Sequence, residues 1–245
     1  IGTSNILEVC NKQKNLRSLI IATSDKCYLN LGKKKPFSEN SKLGGNDPYS
    51  SSKAMSERLV KIYFDRVYKK TSIGLATVRA GNVIGGGDFS ENRIVPDIIR
   101  HITKKKKLLL RYPKSYRPWQ HVFDVLSGYL ILGVKLSINN KKFSGPYNFG
   151  PKSKKNYTVI NLVHKFMKRL IRKNYKFFYS KKYFFEPSDL GINSDKSRSK
   201  LQWKSKYSPS KMIEKTIDWY KIFINNPKKI EIFSRKQMFE YFSEL

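Results

Sequence analysis

Short apolar runs alternate with longer amphipathic segments along this chain, and this alternation restricts its fold more than any other feature. The runs Leu19–Ala22, Gly74–Val78 and Pro146–Phe149 are typical of buried strands, and Leu108–Leu110 is a shorter one. Helical periodicity predicts helices over residues 2–12, 48–68, 96–104, 122–136, 158–172 and 210–225. Strands and helices that alternate in this way favour an α/β fold with a mainly parallel sheet. In such folds the chemistry lies at the carboxyl ends of the strands.

Two helix starts can be predicted from capping residues. Asp47 can cap free N–H groups, and Pro48 has the fixed φ that suits a first helical position. Ser4 is a candidate N-cap for the first helix.

Cysteine, histidine and hydropathy patterns exclude several classes of protein. Cys10 and Cys27 are the two cysteines among the 245 residues, and the three histidines form no HExxH pattern. We therefore expect neither a disulfide framework nor a metal site. No apolar stretch approaches the roughly 20 residues of a membrane-spanning helix, and no signal-peptide pattern follows Ile1. These features predict a cytoplasmic protein.

The charge balance is strongly basic, with 50 Lys and Arg against 18 Asp and Glu and a formal net charge of +32. A polyanion such as nucleic acid would be one partner for such a chain. However, only 12 of the basic residues are Arg, and the Lys residues lie in scattered short runs such as Lys104–Lys107. Nucleic-acid sites favour Arg forks and stacking aromatic side chains. We therefore favour a solvated Lys-rich surface, with polyanion binding as the open alternative.

A Tyr-x-x-x-Lys sequence, Tyr49 to Lys53, follows the capped helix start. Side chains four residues apart share one helix face. A phenol with a pKa near 10 must be favoured as phenolate by about 3 units, or about 4 kcal/mol, to act as a base near neutrality. An ammonium one turn away contributes to that shift. A second copy, Tyr207 to Lys211, contains Pro209 and follows no Ser-Asp pair, so we interpret it as a coincidence.

Along the chain a strand is followed by Thr23–Lys26, then by the capped Tyr-x-x-x-Lys helix, and then by a strand that runs into Arg79. This order resembles the extended short-chain dehydrogenase/reductase family, whose members act on nucleotide sugars. Four segments are similar to the branch of this family that dehydrates CDP-glucose, namely Arg79–Asp88, Asn92–Asp97, Arg117–Val122 and Tyr147–Pro151. Another nucleotide-sugar 4,6-dehydratase or epimerase of the same family is the alternative.

The resemblance implies NAD as cofactor, a nucleotide sugar as substrate and a homodimer as the full-length assembly. It divides the chain into a Rossmann-like NAD-binding domain, residues 1–86 and 119–150, and a smaller α/β nucleotide-sugar lobe, residues 87–118 and 151–245. The GxxGxxG turn of the family does not occur in the sequence, so we expect it to precede Ile1. We therefore expect that a protein of these 245 residues alone neither binds NAD tightly nor catalyses the reaction. A non-catalytic fragment that only dimerises is therefore a further alternative.

The resemblance also implies catalytic roles. Ser24 binds the C4 hydroxyl of the sugar, Tyr49 removes its proton as hydride passes to NAD, and Lys53 holds the nicotinamide ribose and the tyrosinate. Asp25 is the acid that protonates the departing C6 hydroxyl. Lys26 is either the C5 base, which requires a lowered pKa, or an orienting ion-pair partner. The cofactor-binding candidates are Thr23, Tyr49, Lys53 and Ala80.

Binding of the diphosphate calls for amides and guanidinium forks. Asn82, Arg93 and Arg117 are its candidates, with Arg111 as a further substrate-binding residue; solvated surface arginines are the alternative interpretation. Gly85–Gly87 lacks the spacing of a phosphate-binding loop and predicts a turn. Phe185–Glu186 departs from the His-Glu of the branch, which leaves the contact to the nucleotide in doubt.

Overall fold

The computed structural model describes residues 1–32, 35–151, 157–171, 176–179 and 191–243. Its strands are β1 (Ser18–Ala22), β2 (Gly74–Ala80), β3 (Val83–Ile84), β4 (Leu109–Leu110), β5 (Gln120–His121), β6 (Gly145–Phe149) and β7 (Phe178–Tyr179). Its helices are α1 (Gly2–Asn11), α2 (Pro48–Arg66), α3 (Ile94–Lys104), α4 (Val122–Ile138), α5 (Asn140–Phe143), α6 (Val159–Leu170), α7 (Asp195–Leu201), α8 (Pro209–Asn225) and α9 (Ile230–Phe242).

The chain forms two compact units. The first comprises Ile1–Gly81, Val125–Lys152 and Leu190–Lys204, and the second comprises Asn82–Asp124, Ser153–Asp189 and Ser205–Leu245. The assignment of an NAD-binding domain and a sugar-binding lobe to the predicted residue ranges stays a prediction.

A three-stranded parallel sheet in the order β1-β2-β6 organises the first unit. Ala22 lies opposite Val78, and Ala80 lies opposite Phe149, so the carboxyl ends of the strands meet at one edge. The backbone N–H of Thr23 continues this pairing, since it donates to the Val78 carbonyl over 2.9 Å. The parallel sheet confirms the predicted α/β fold class.

Side chains of β2 alternate between the two faces of this sheet, as the pleat requires. Leu75 packs with Leu7 of α1 and Val60 of α2. Ala76 and Val78 belong to a second cluster with Leu132, Leu136, Phe149 and Trp203. The sheet is therefore covered on both faces, which explains the continuous apolar character of the strand sequences.

A single large cluster forms the core of the second unit. Its fully buried side chains include Ile98 of α3, Phe166 of α6 and Ile217 of α8. The pairs β3–β5 and β4–β7 are short and parallel. Gly86 lies so close to Trp219 that an added Cβ would approach the indole within 2.0 Å, and Gly87 has a φ of +84°. The predicted turn at Gly85–Gly87 is thus confirmed, and its glycines are explained by packing and backbone conformation.

Most predicted elements are confirmed with small shifts of their ends. Asp47 is the N-cap of α2, whereas the predicted cap at Ser4 is wrong: α1 begins at Gly2, and the Ser4 hydroxyl lies 3.3 Å from that of Tyr63. The predicted end of α6 at Arg172 and the Phe185–Glu186 contact lie outside the described residues. Among the helices described, none combines the length and the apolar character needed to cross a bilayer.

Candidate active site

The segment after β1 is a tight turn held by Ser24. Residues Asp25–Cys27 form a single 3-10 turn, and the Ser24 hydroxyl oxygen accepts a hydrogen bond from the Lys26 N–H over 3.1 Å. The same hydroxyl donates to Asp25 Oδ1 over 2.9 Å. Asp25 and Cys27 are buried, and burial raises the pKa of the Cys27 thiol to about 12. The predicted catalytic residues Ser24 and Asp25 are therefore in direct contact and firmly placed.

Helix α2 begins with a well-formed cap. An Asp47 carboxylate oxygen accepts from the Ser50 N–H over 3.0 Å, and the other accepts from the Ser50 hydroxyl over 2.5 Å. These hydrogen bonds lower the pKa of Asp47, and the charge of Lys26 acts in the same direction. Gly45 packs against this first turn, where an added Cβ would lie 2.4 Å from that of Ser50. Cap and packing together fix where the helix starts.

Tyr49 and Lys53 lie together on the outer face of α2. Tyr49 is 52% exposed, and the Lys53 ammonium lies 5.7 Å from the centre of its ring. One position beyond Lys53, Ala54 packs on Cys27 of the strand-end turn. The helix that carries Tyr49 and Lys53 thus packs against the Ser24–Cys27 turn, which follows β1 at the carboxyl edge of the sheet, and the catalytic roles of these residues stay predictions.

An ionic cluster lies beneath this edge. Glu57 of α2 and Arg79 of β2 form an ion pair of 2.6 Å, with both side chains almost fully buried. Burial alone would lower the pKa of Arg79, but the hydrogen bond and charge of Glu57 hold it above its usual value. Sequence reasoning gave neither residue a role. The one signal in the sequence was the spacing of Glu57, four residues beyond Lys53 on a helix that buries one face.

The predicted cofactor-binding residues suit NAD in their chemistry. Tyr49 and Lys53 offer a phenol and an ammonium on the helix that packs against the turn after β1. In such folds dinucleotides bind at the carboxyl edge of the parallel sheet. Ala80 is the last residue of β2 at that edge, and it brings no bulky side chain there. The Thr23 hydroxyl donates to Glu57 and therefore faces the buried cluster.

The predicted substrate-binding residues all belong to the second unit and differ in burial. Arg117 is 4% exposed and donates to the Tyr116 carbonyl, so it is not a solvated surface arginine. Arg93 is 65% exposed and lies 3.6 Å from Asp88.

Arg111 and Asn82 make backbone contacts in that unit. Arg111 donates to the carbonyl of Asn92, the residue before Arg93, so the structure brings these two arginines into one neighbourhood. The backbone carbonyl of Asn82 accepts a hydrogen bond from the backbone N–H of Gln120, and the side-chain amide of Asn82 takes no part in that bond. Within the described ranges, no group of three or more His, Cys, Asp and Glu is arranged to hold a metal ion.

Comparisons with known proteins show the family to which the chain belongs. Residues 1–148 match the NAD dependent epimerase/dehydratase family. The chain is 32% identical to the CDP-glucose 4,6-dehydratase of Salmonella typhimurium over 248 residues, which cover 99% of this chain and 69% of that protein. It is 29% identical to the dTDP-D-glucose 4,6-dehydratase of Dictyostelium discoideum over 161 residues, which cover 61% of this chain and 35% of that protein.

Solved structures show the same fold. The dTDP-glucose 4,6-dehydratase of Bacillus anthracis, in complex with NAD, superimposes with a TM-score of 0.74 at 25% identity and covers 93% of this chain and 68% of its own. The dTDP-glucose 4,6-dehydratase of Streptomyces venezuelae has a TM-score of 0.77 at 18% identity, over 95% of this chain and 67% of its own. The predicted NAD dependence is confirmed for the family, and the chain belongs to the NAD-dependent epimerase/dehydratase family.

Proposed function

We propose that this protein is an NAD-dependent lyase that converts CDP-glucose to CDP-4-keto-6-deoxyglucose. The observation that supports the proposal is the packing of the Ser24–Cys27 turn against helix α2, the helix that carries Tyr49 and Lys53. CDP-glucose is the favoured substrate because the identity to the Salmonella enzyme extends over almost the whole chain. The dTDP-glucose dehydratases among its relatives make dTDP-glucose the second candidate.

In the first step, Tyr49 is the base that takes the proton of the C4 hydroxyl. The Lys53 ammonium lies 5.7 Å from the centre of the Tyr49 ring, so a cation stands beside the proposed base. Ser24 orients the same sugar hydroxyl. The chemistry that NAD supplies when bound is reversible removal of a hydride from the sugar, and Tyr49, Lys53 and Ala80 would lie against it.

The second step removes water across C5 and C6. The C4 ketone acidifies the C5 hydrogen, Lys26 in its neutral form takes that proton, and Asp25 protonates the departing C6 hydroxyl. The C5–C6 double bond is then reduced: the hydride taken from C4 returns to C6 and a proton returns to C5, which gives the 4-keto-6-deoxy sugar and regenerated NAD. Asp25 is suited to this role because it is buried and contacts the Ser24 hydroxyl. Lys26 is close enough to Asp47 for its charge to lower the pKa of that carboxyl, which supports ion-pair orientation as the alternative role.

The diphosphate is assigned to Arg117, Arg93 and Asn82, with Arg111 beside Arg93. Arg93 has an exposed guanidinium, which can rotate onto an anion at the cost of one weak ion pair with Asp88. Arg117 is already desolvated, so it would form a shorter and stronger contact with a dianion.

We also propose a homodimer in the cytoplasm. Exposed apolar side chains lie on the two neighbouring helices α1 and α2, namely Ile6, Val9, Met55 and Ile62. Apolar side chains gathered in this way are typical of a surface that another protein covers. Light scattering of the wild type and of Met55→Glu tests this, since the charge should shift the protein from dimer to monomer.

Substrate preference is the direct test of the proposed function. The full-length protein is incubated with NAD and with CDP-glucose, dTDP-glucose or UDP-glucose, and the 4-keto-6-deoxy product is identified by NMR. We expect the highest kcat/KM with CDP-glucose. Preference for dTDP-glucose would establish the second candidate, and NAD binding without any product would establish the non-catalytic alternative.

A further inference from the structure

Helix α2 carries a third polar residue at the same four-residue spacing as Tyr49 and Lys53. Glu57 follows Lys53 by four residues, but each such step turns the helix face by about 40°, so Glu57 points towards the sheet rather than outwards. Glu57 is 4% exposed, against 52% for Tyr49. One helix therefore presents its catalytic groups outside and a carboxylate inside.

The contacts of this carboxylate reach the sheet edge. Glu57 Oε1 accepts the hydroxyl of Thr23, and Oε2 accepts the hydroxyl of Thr77 over 2.8 Å and Arg79 Nη2 over 2.6 Å. A buried carboxylate with three donors, one of them cationic, is well satisfied. Its position is thus tightly defined by β2 and by Thr23, the residue that follows β1.

The Glu57–Arg79 pair holds both ends of the Ser24–Cys27 turn. Thr23, directly before the turn, donates to Glu57. Tyr28, directly after it, accepts from Arg79 Nη1 over 2.8 Å and donates to Asn148 over 2.6 Å. The turn that carries Ser24 and Asp25 is therefore anchored on both sides to one ion pair, and that ion pair begins on the helix of Tyr49.

We propose that Glu57 is a positioning residue, which fixes the distance between the Ser24–Asp25 turn and the Tyr49–Lys53 face through the hydroxyl of Thr23. The inference rests on the proposed function for its catalytic consequence. Its structural part, the restraint of residues 24–28, is independent of any substrate. Loss of the restraint should lower kcat more than it raises KM, because misplacement affects the reacting geometry more than the binding of the nucleotide.

Two matched threonines separate positioning from general stability. Thr23→Val and Thr77→Val each remove one hydroxyl from the same carboxylate and leave the Glu57–Arg79 pair intact. Only Thr23 adjoins the turn. We expect Thr23→Val to lower kcat by about 10- to 100-fold with a nearly unchanged KM, and Thr77→Val to keep kcat within about twofold.

Amide hydrogen exchange supplies a readout without turnover. The N–H groups of Lys26, Cys27 and Tyr28 are bonded within the turn. Their exchange should become faster in Thr23→Val and remain at the wild-type rate in Thr77→Val. Equal behaviour of the two variants in both kcat and exchange would overturn the proposal.

A double-mutant cycle tests whether Glu57 acts through Thr23. If it does, Thr23→Val combined with Glu57→Gln should have the kcat of Glu57→Gln alone; additive losses would show that Thr23 acts by another route and would also overturn the proposal. If Glu57→Gln does not fold, the comparison of Thr23→Val with Thr77→Val still tests the positioning role of Glu57. A wild type that dehydrates no nucleotide sugar would reject the proposed function, while the exchange contrast would still judge the restraint.

Discussion

The two Tyr-x-x-x-Lys sequences of this chain differ in where the tyrosine stands relative to a helix start. In the first, Tyr49 follows the cap Asp47 and the first helical residue Pro48. In the second, Tyr207 precedes the cap Ser208 and the first helical residue Pro209. Both helices thus begin with a capping side chain and a proline, but only the first places its tyrosine inside the helix.

The environments of the two copies differ as well. Tyr49 is exposed beside the Lys53 ammonium, above a buried ion pair. The ring of Tyr207 packs edge-on against His121 and Tyr241, and its N–H donates to the buried carboxylate of Asp124. Lys211 forms an ion pair with Glu214 at the surface. A spacing of four residues therefore indicates a shared face only when the helix boundary precedes both residues.

Replacing the tyrosine of each copy should give the largest contrast. Tyr49→Phe removes the proposed base, so CDP-glucose should produce no transient NADH absorbance and product formation should fall about 1,000-fold. Tyr207→Phe keeps the ring packing and should retain activity within about twofold. Comparable losses in the two variants would break the distinction between the copies.

Ion pairs near the two copies should differ in their contribution to stability. Arg79→Met leaves the Glu57 carboxylate buried without its cation and should lower the free energy of unfolding by about 3–5 kcal/mol. Lys211→Met removes an exposed partner of Glu214 and should cost less than about 1 kcal/mol. Urea titration of both variants measures the difference. A small effect of Arg79→Met would show that the buried pair is not needed for the fold.

Replacing Lys26 tests which group near the first copy is the base at C5. Lys26→Ala leaves Tyr49 and Lys53 in place, so NADH should still form, while loss of a general base slows proton removal at C5 by about 100-fold. The NADH form should accumulate, and exchange of the C5 hydrogen with deuterated water should be suppressed. Normal exchange would transfer the base role to another group and would leave the role of Tyr49 intact.

The buried side chain of His121, which packs against Tyr207 of the second copy, should make the stability of the protein depend on pH. Burial lowers the pKa of His121 from 6.5 to about 3. The unfolded chain therefore binds a proton below pH 6.5 that the folded protein does not bind, and stability should fall by about 1.4 kcal/mol per pH unit as the pH drops from 6.5 towards 3. His121→Phe should reduce this slope between pH 6.5 and 5. An unchanged slope in denaturant titrations would show that the imidazole is charged in the folded state.

Local signals explain which parts of the molecule could be predicted from sequence. The strands β1 and β2 and helix α2 follow from apolar runs and from the Asp47–Pro48 start, all of which act over a few residues. Helix α9 was missed because its apolar residues, such as Ile232 and Phe239, include exposed ones and form no clear stripe.

The candidate site divides in the same way. Ser24, Asp25, Tyr49 and Lys53 could be selected because the segments Thr23–Lys26 and Tyr49–Lys53, after a strand end and at a helix start, carry the family resemblance. The partnership of Glu57 with Arg79 joins residues 22 positions apart, and that of Tyr28 with Asn148 joins residues 120 positions apart. No periodicity encodes such pairs, so only the folded chain reveals the support beneath the site.

The capped start of α2 has a consequence for insertions and deletions. Each residue added to a helix rotates all later helical positions by about 100°, so one residue inserted between Pro48 and Tyr49 would turn the phenol away from its present face. Gly45, which is pressed against Ser50, extends this sensitivity to the residues just before the cap. A residue inserted further upstream is absorbed in the loop, because Asp47 and Pro48 begin the helix afresh. Length variation among homologues should therefore stop at Gly45 and resume only beyond the end of α2 at Arg66.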